Sequence, residues 1–329
     1  MKKLLNSLPF RLLLGVVLGI LAGQIANESV MNVVVTVKYI LNQVIVFCVP
    51  LIIIGFIAPS ITKLGSNASK ILMVAVAVKA SVITAILDEF QKMILLIVTK
   101  LVIPILPIFI GFTFCSLSYE GTITKQFPVF IEIIVIVLVG HYIWMAVLYG
   151  IAGLYSKKNP IDIVKNYGPA YLTAVGTMSS AATLAVALRC AKKSVPPLRE
   201  DMVDFGIPLF ANIHLCGSVL TEVFFVMTVS RILYGSIPSL GTMVLFCVLL
   251  GIFAIGAPGV PGGTVVASLG LISGVLGFGE DGLALMLTIF ALQDSFGTAC
   301  NVTGDGALTL ILSGYADKHK IEHAPAKTV

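Results

Sequence analysis

Close to the C-terminus, inside otherwise apolar sequence, the chain reads Asp294-Ser295-Phe296-Gly297-Thr298-Ala299-Cys300-Asn301-Val302-Thr303-Gly304-Asp305. On a helix, Asp294, Thr298, Asn301 and Asp305 fall at i, i+4, i+7 and i+11, which is a single face. A carboxylate at membrane depth costs about 2.5–3.5 kcal/mol on insertion scales, so two on one stripe mark a functional site. The alternative is a helix that lines the protein interior with its polar groups satisfied by neighbours.

The stripe sits in a chain of 329 residues that is 58% hydrophobic and only 11% charged. Soluble domains carry about a quarter charged residues, so this composition implies a polytopic membrane protein. Its apolar runs are too long, and too rich in Gly and Pro, for outer-membrane strands; the expected fold class is all-α. The net charge of +5 comes from Lys and Arg spread between apolar runs, which excludes a nucleic-acid surface. Cys48, Cys115, Cys190, Cys216, Cys247 and Cys300 show no CxxC spacing and read as small buried hydrophobes, not a metal site or disulfide framework.

Basic residues set the expected topology. Lys2, Lys3 and Arg11 precede the run from Leu12 to Ile25, which reads as a retained first helix starting in the cytoplasm. The run Val33 to Ile61 returns to Lys63 and Lys70, an outer loop spans Tyr119 to Pro128, and the run Val129 to Tyr155 returns to Lys157, Lys158 and Lys165. Arg189, Lys192, Lys193 and Arg199, and then Lys318, Lys320 and Lys327, mark further inner faces. These clusters place both termini in the cytoplasm and the chain, multi-pass, in the inner (plasma) membrane. The run Ile71 to Leu87 breaks parity, because Lys70 before it and Asp88, Glu89 and Lys92 after it should lie on the same side. It is either re-entrant or the trace of a lost span.

Two segments are interrupted by polar or Gly/Pro-rich centres. Residues 168–197 carry Thr177-Met178-Ser179-Ser180-Ala181-Ala182-Thr183 between cytoplasmic flanks, and residues 238–279 carry Gly256-Ala257-Pro258-Gly259-Val260-Pro261-Gly262-Gly263-Thr264 between outer flanks. Each reads as a re-entrant helical hairpin, one from each side. Irregular backbone survives at membrane depth only where it is buried in protein or lines a cavity, and two such breaks point to a transporter's binding site.

These residues resemble the dicarboxylate/amino acid:cation symporters, which include the glutamate transporters. Ser179-Ser180-Ala181-Ala182-Thr183-Leu184 is similar to that family's first hairpin tip, Gly259-Val260-Pro261-Gly262-Gly263 to its second, and Asn301-Val302-Thr303-Gly304-Asp305 to its last helix. The resemblance implies an elevator-type symporter of small carboxylates, forming a homotrimer in the lipid bilayer, with no cofactor beyond a sodium ion. It implies scaffold-like helices over 1–166, shortened near 71–87, whose later helices straddle scaffold and transport parts. The transport core follows over 167–316, with hairpin 1 at about 168–197, a broken helix at about 200–233, hairpin 2 at about 238–279 and the last helix at about 280–316. A cytoplasmic tail over 317–329 completes the chain. Carried over, Ser179, Ser180, Val260, Pro261, Gly262, Asp294, Thr298 and Asn301 would contact substrate, while His214, Ser218, Asn301 and Asp305 would hold a cation.

Departures accompany the match. The family's Asn-Met-Asp-Gly-Thr is His214-Leu215-Cys216-Gly217-Ser218 here, so a cation-binding carboxylate has become a thiol. Acidic-substrate members carry Arg where this chain has Gly297, and without that guanidinium a second substrate carboxylate has no obvious partner. His214, Ser218 and Glu222 fall at i, i+4 and i+8, as on one helix face. Glu222 occupies a position where proton-coupled members carry Glu, so proton coupling is expected beside or in place of sodium. Glu132 and His141 read as polar packing groups.

A transport-incompetent remnant that binds ligand or assembles with relatives is one alternative, and an intramembrane enzyme is another. The enzyme lacks support: there is no HExxH or GxSxG motif. On one helix Asp294 and Asp305 stand about 16 Å apart, too far to share a proton as an aspartyl dyad does.

Overall fold

The computed structural model describes residues 8–44, 103–257 and 261–321, with isolated positions between 47 and 101. The parity conflict around residues 71–87 lies outside the described residues apart from 85 and 86. Among the described residues every regular element is helical, as expected of an all-α membrane protein. Ile131–Ser156, Glu200–Tyr234 and Glu280–Lys318 are long and apolar enough to cross a membrane, and four further apolar helical stretches are shorter.

The chain divides into two compact units: 1–131, 225–258 and 262–292 form unit 1, and 132–224, 259–261 and 293–329 form unit 2. Unit 1 opens with α1 (Leu8–Ile25), α2 (28–44) and α3 (Ile103–Tyr119). Asn27 starts α2 by accepting a hydrogen bond from Val30 N at 3.0 Å. The packing of α1 on α3 depends on Gly15, Gly19 and Gly23, one per turn. A Cβ at Gly15 would stand 2.5 Å from the Pro107 carbonyl oxygen, and at Gly19 and Gly23 it would run into the carbonyls of Gly111 and Cys115. This small-residue spacing lets membrane helices touch backbone to backbone. Ser118 Oγ, donating to Ile20 O at 2.9 Å, fixes the register.

The expected outer loop from Tyr119 to Pro128 is shorter than its polar residues suggested. Only Glu120 and Gly121 leave the helix, Gly121 at φ +71°, before α4 (Thr122–Ser156) begins. Residues 225–292 of unit 1 include the pair α10 (Leu240–Gly256) and α11 (Gly263–Leu276), packed on one another. Ser239 caps α10 by accepting from Thr242 N, and Gly262 at φ 71° opens α11.

Unit 2 contains α4 from Glu132 onward, the short α5 (Ile161–Val164), α6 (Gly168–Thr177), α7 (Ser180–Lys192), α8 (Glu200–Ile213), the first half of α9 (Cys216–Tyr234), and α12 (Glu280–Lys318) from Gln293 onward. Helix α7 packs against both α6 and α8. Its core gathers Leu148, Ile163, Tyr167, Ile207, Val302 and Leu310. Arg199, one of the basic residues expected to mark an inner face, is 7% exposed. Its guanidinium grips Asp201 through Nε at 3.1 Å and Nη2 at 2.6 Å, and Nη1 reaches Ile321 O at 2.9 Å. The start of α8 is thus tied to the end of α12.

The glycine seam of unit 1 is testable. Gly19→Ala should cost about 1–3 kcal/mol, because the added methyl forces α1 and α3 apart. Gly150→Ala, where a Cβ meets nothing within 4 Å, should change stability by less than about 1 kcal/mol. Melting temperatures of the two purified variants check this; equal shifts would contradict backbone contact at Gly19.

Candidate functional site

Helices α8 and α9 are one span interrupted at His214 and Leu215. His214 has extended backbone, φ −114° and ψ 95°. It therefore does not share a helix with Ser218 and Glu222: those two lie on α9, and His214 lies in the break that precedes it. Helix α9 begins after a leucine, which has no side chain able to bond the first amides. The partner comes from α12. Asn301 Oδ1 accepts from Gly217 N at 2.7 Å and Ser218 N at 3.3 Å, and Asn301 Nδ2 donates to Ser218 Oγ at 2.9 Å. Asn301 acts as an N-cap supplied by another helix.

Two glycines allow that approach. A Cβ on Gly217 would collide with the Gly297 carbonyl and stand 2.5 Å from Cys300 Cβ, and one on Gly297 would lie 3.3 Å from Ser218 Cα. Gly297, expected to be only the place where a guanidinium is missing, is also a packing requirement. From the other flank His141 of α4 closes the break: its Nε2 lies 3.0 Å from both Gly217 O and Thr221 Oγ1. Sequence reading set His141 aside as a polar packing group. No motif surrounds it, and only the fold brings it to the break.

One turn beyond Asn301, Asp305 Oδ1 lies 3.0 Å from His214 Nδ1. Asp305 is 1% exposed, so this imidazole–carboxylate pair is buried. Gly304 makes room for it, since a Cβ there would lie 2.6 Å from His214 Cε1. Asp294 and Thr298 are buried on the same helix, Thr298 Oγ1 donating to Asp294 Oδ1 at 3.5 Å. Glu222, one turn past Ser218, is fully buried.

The first hairpin turns at Met178 and Ser179. Met178 takes the left-handed conformation, φ 52°, which few side chains adopt. Ser179 is the N-cap of α7, its hydroxyl accepting from Ala182 N at 3.2 Å, and Ser180 is the buried first residue of that helix. Thr183 Oγ1, donating to Ser179 O at 2.8 Å, reinforces the turn. A helix start of this kind carries a positive dipole end. Of the second hairpin tip, Val260 lies outside the described residues, Pro261 is in a turn and Gly262 is buried.

A family model, "Sodium:dicarboxylate symporter family", matches residues 70–315. The chain belongs to that family. Among curated relatives, it is similar to mouse excitatory amino acid transporter 2, 27% identical over 66% of this chain and 38% of the relative. It is similar to mouse excitatory amino acid transporter 3 at 31% identity over 49% of this chain and 30% of the relative. To human neutral amino acid transporter B(0) it is 27% identical, over 55% of this chain and 33% of the relative. The chain thus matches about a third of the length of each. Membership in a symporter family, with Asp294 and Asp305 on one helix, leaves no case for an enzyme.

The family description implies sodium, and the residues here can be tested against that ion. A hard cation needs oxygen ligands with free lone pairs. Asn301 Oδ1 instead faces two N–H donors, Asp305 Oδ1 faces an imidazole, and Cys216 offers sulfur. Among the described residues no group of three or more His, Cys, Asp or Glu is placed to hold a metal ion. At Asn301 Oδ1 and Asp305 Oδ1 a sodium ion would therefore compete with donors of the protein itself.

Asn301→Ala should cost about 1–3 kcal/mol by leaving the α9 amides without an acceptor. Asn301→Asp keeps an acceptor at a helix N-terminus and should lose less. Thermal unfolding of both variants checks this, and equal losses would mean that side-chain volume, not the oxygen, holds the break. For the buried pair, His214→Ala or Asp305→Ala alone should cost about 3–5 kcal/mol. The double variant should cost clearly less than the sum, and additive losses would show that the two groups do not interact.

Proposed function

We propose that this chain acts as a secondary active symporter of small carboxylates, amino acids or dicarboxylates, in the plasma membrane, with both termini cytoplasmic. The observation that carries the reading is the capped start of α7 at Ser179 and Ser180, together with a buried polar helix, Asp294 to Asp305, in a chain of this family. The N–H groups at Ser180 suit a substrate carboxylate, Asp294 suits an amino group where the substrate has one, and Thr298 and Asn301 complete the polar lining. In this reading the two hairpins are re-entrant and residues 167–316 move substrate past a scaffold in 1–166, as an elevator within a homotrimer.

Coupling in this proposal rests more on protons than on sodium. One oxygen of each residue that would hold a cation, Asn301 Oδ1 and Asp305 Oδ1, is engaged by a donor of the protein itself. Glu222, fully buried on α9, is the group proposed to carry the proton. A sodium ion at Asp305 would first have to displace His214. The close packing of Gly297 on Ser218 leaves no guanidinium to pair a second substrate carboxylate. A weaker preference for acidic side chains follows.

The sequence conflict between Lys70 and Asp88 favours one second reading, a form that binds ligand or assembles with relatives without transporting. Uptake by proteoliposomes of the full chain separates the two. Carboxylate uptake driven by an imposed pH gradient, and lowered at least tenfold by Glu222→Gln, is the expected result. Strict sodium dependence with no effect of Glu222→Gln would overturn the coupling, and tight selective uptake of aspartate or glutamate would overturn the role given to Gly297. Saturable carboxylate binding without uptake under any gradient would favour the second reading.

A further inference from the structure

Unit 1 carries a groove of about 400 Å3 on its first three helices. Along α1 it runs over Arg11, Gly15, Leu18 and Ala22, which fall at i, i+4, i+7 and i+11 and so share one face. Ile108 and Phe112 line it from α3, and Val30 and Val34 from the start of α2. The groove is open along its length: Leu14, Leu18, Val30 and Ile108 on its lining are between 44% and 55% exposed, and Arg11 is exposed as well. Gly15, Gly19 and Gly111, which let α1 and α3 touch, also line the groove and bring no side chain to fill it.

The two ends of the groove differ. Arg11, in the first turn of α1, is the one charged residue on the lining, and among the described residues no carboxylate is paired with it. The other end, at Ala22, Val30 and Val34, is apolar. From Arg11 to Ala22 the helix rises about 16 Å. One leaflet of the hydrocarbon core is about 15 Å deep, half of roughly 30 Å. The groove thus has the length of one acyl chain, with a guanidinium where the headgroup would begin. A helix of that length, about 10 Å across, takes about three times this volume, so a helix from a second copy would not be seated in it.

The headgroup's chemistry follows from the lining. A guanidinium meets a phosphate with two parallel N–H···O bonds. No Asp or Glu lines the groove to hold the ammonium of a zwitterionic headgroup, so a net negative charge is favoured. We propose that the groove seats one acyl chain of an anionic phospholipid whose phosphate is bound by Arg11. With the N-terminus cytoplasmic, as proposed above, this is a lipid of the inner leaflet, whose surface is negatively charged. The choice of leaflet rests on that topology; the binding does not.

The test uses the full, delipidated chain in detergent and needs no transport. It is titrated with phosphatidylglycerol or with phosphatidylcholine of the same acyl chains, bound lipid is counted by native mass spectrometry, and the melting temperature is followed. Saturable binding of a single phosphatidylglycerol is expected, at least about fivefold tighter than phosphatidylcholine because of the charge-assisted pair. It should raise the melting temperature, as a ligand of the folded state does. Arg11→Gln should bring phosphatidylglycerol down to the affinity of phosphatidylcholine while leaving the lipid-free melting temperature unchanged, since Arg11 is exposed. Ala22→Phe, which fills the apolar end, should weaken both lipids several-fold. Soluble glycerol phosphate should not compete, because it has no chain to seat. Equal affinity for the two lipids, an unchanged preference in Arg11→Gln, unchanged binding in Ala22→Phe or full competition by glycerol phosphate would overturn the proposal. So would many lipids bound without saturation, or self-association without lipid that Ala22→Phe abolishes, which would assign the groove to a second copy.

Discussion

Helix α9 starts on a residue that cannot cap it, and the acceptor comes from Asn301 on α12. Much of the site follows from this one interaction. The cap requires α9 and α12 to approach to backbone distance, which Gly217 and Gly297 permit. With the helices that close, a turn further along α12 brings Asp305 against His214, and Gly304 leaves space for the imidazole. His141 holds the opposite flank through Gly217 O and Thr221. The break is therefore braced from two sides by neutral or paired groups.

This arrangement bears on function through what it uses up. A chain that meets its buried oxygens with its own N–H groups and an imidazole needs no cation to hold the break together. His214 and Cys216, the two departures from the family's Asn-Met-Asp-Gly-Thr, act in the same direction: one supplies a donor to Asp305 and the other removes a carboxylate. Glu222 is a further buried acidic group on α9. That difference, more than overall similarity, is why protons are favoured over sodium in the proposed coupling.

Much of the helical pattern was legible from residue types alone. Gly168-Pro169 and the serines after Met178 announce a hairpin, and the turn falls at Met178 and Ser179. The stripe from Asp294 to Asp305 is helical and buried as its spacing implies. What spacing cannot supply is the partner. Periodicity put Asn301 on a buried face but could not tell an amide oxygen free for a ligand from one capping another helix. It also carried His214 onto α9, because offsets of four continue through a break as readily as along a helix. Gly15, Gly19 and Gly23 passed unnoticed since a close approach is a property of two helices. The polar residues after Tyr119 have the composition of a loop, although Glu120 and Gly121 suffice for the turn.

Amide hydrogen exchange across residues 214–220 tests the cap most directly, comparing wild type with Asn301→Ala. If Asn301 holds the α9 start, Gly217 and Ser218 are protected in the wild type. That protection is then lost in the variant, while exchange in α10 and α11 stays the same. Unchanged protection at Gly217 and Ser218 in Asn301→Ala would contradict the account.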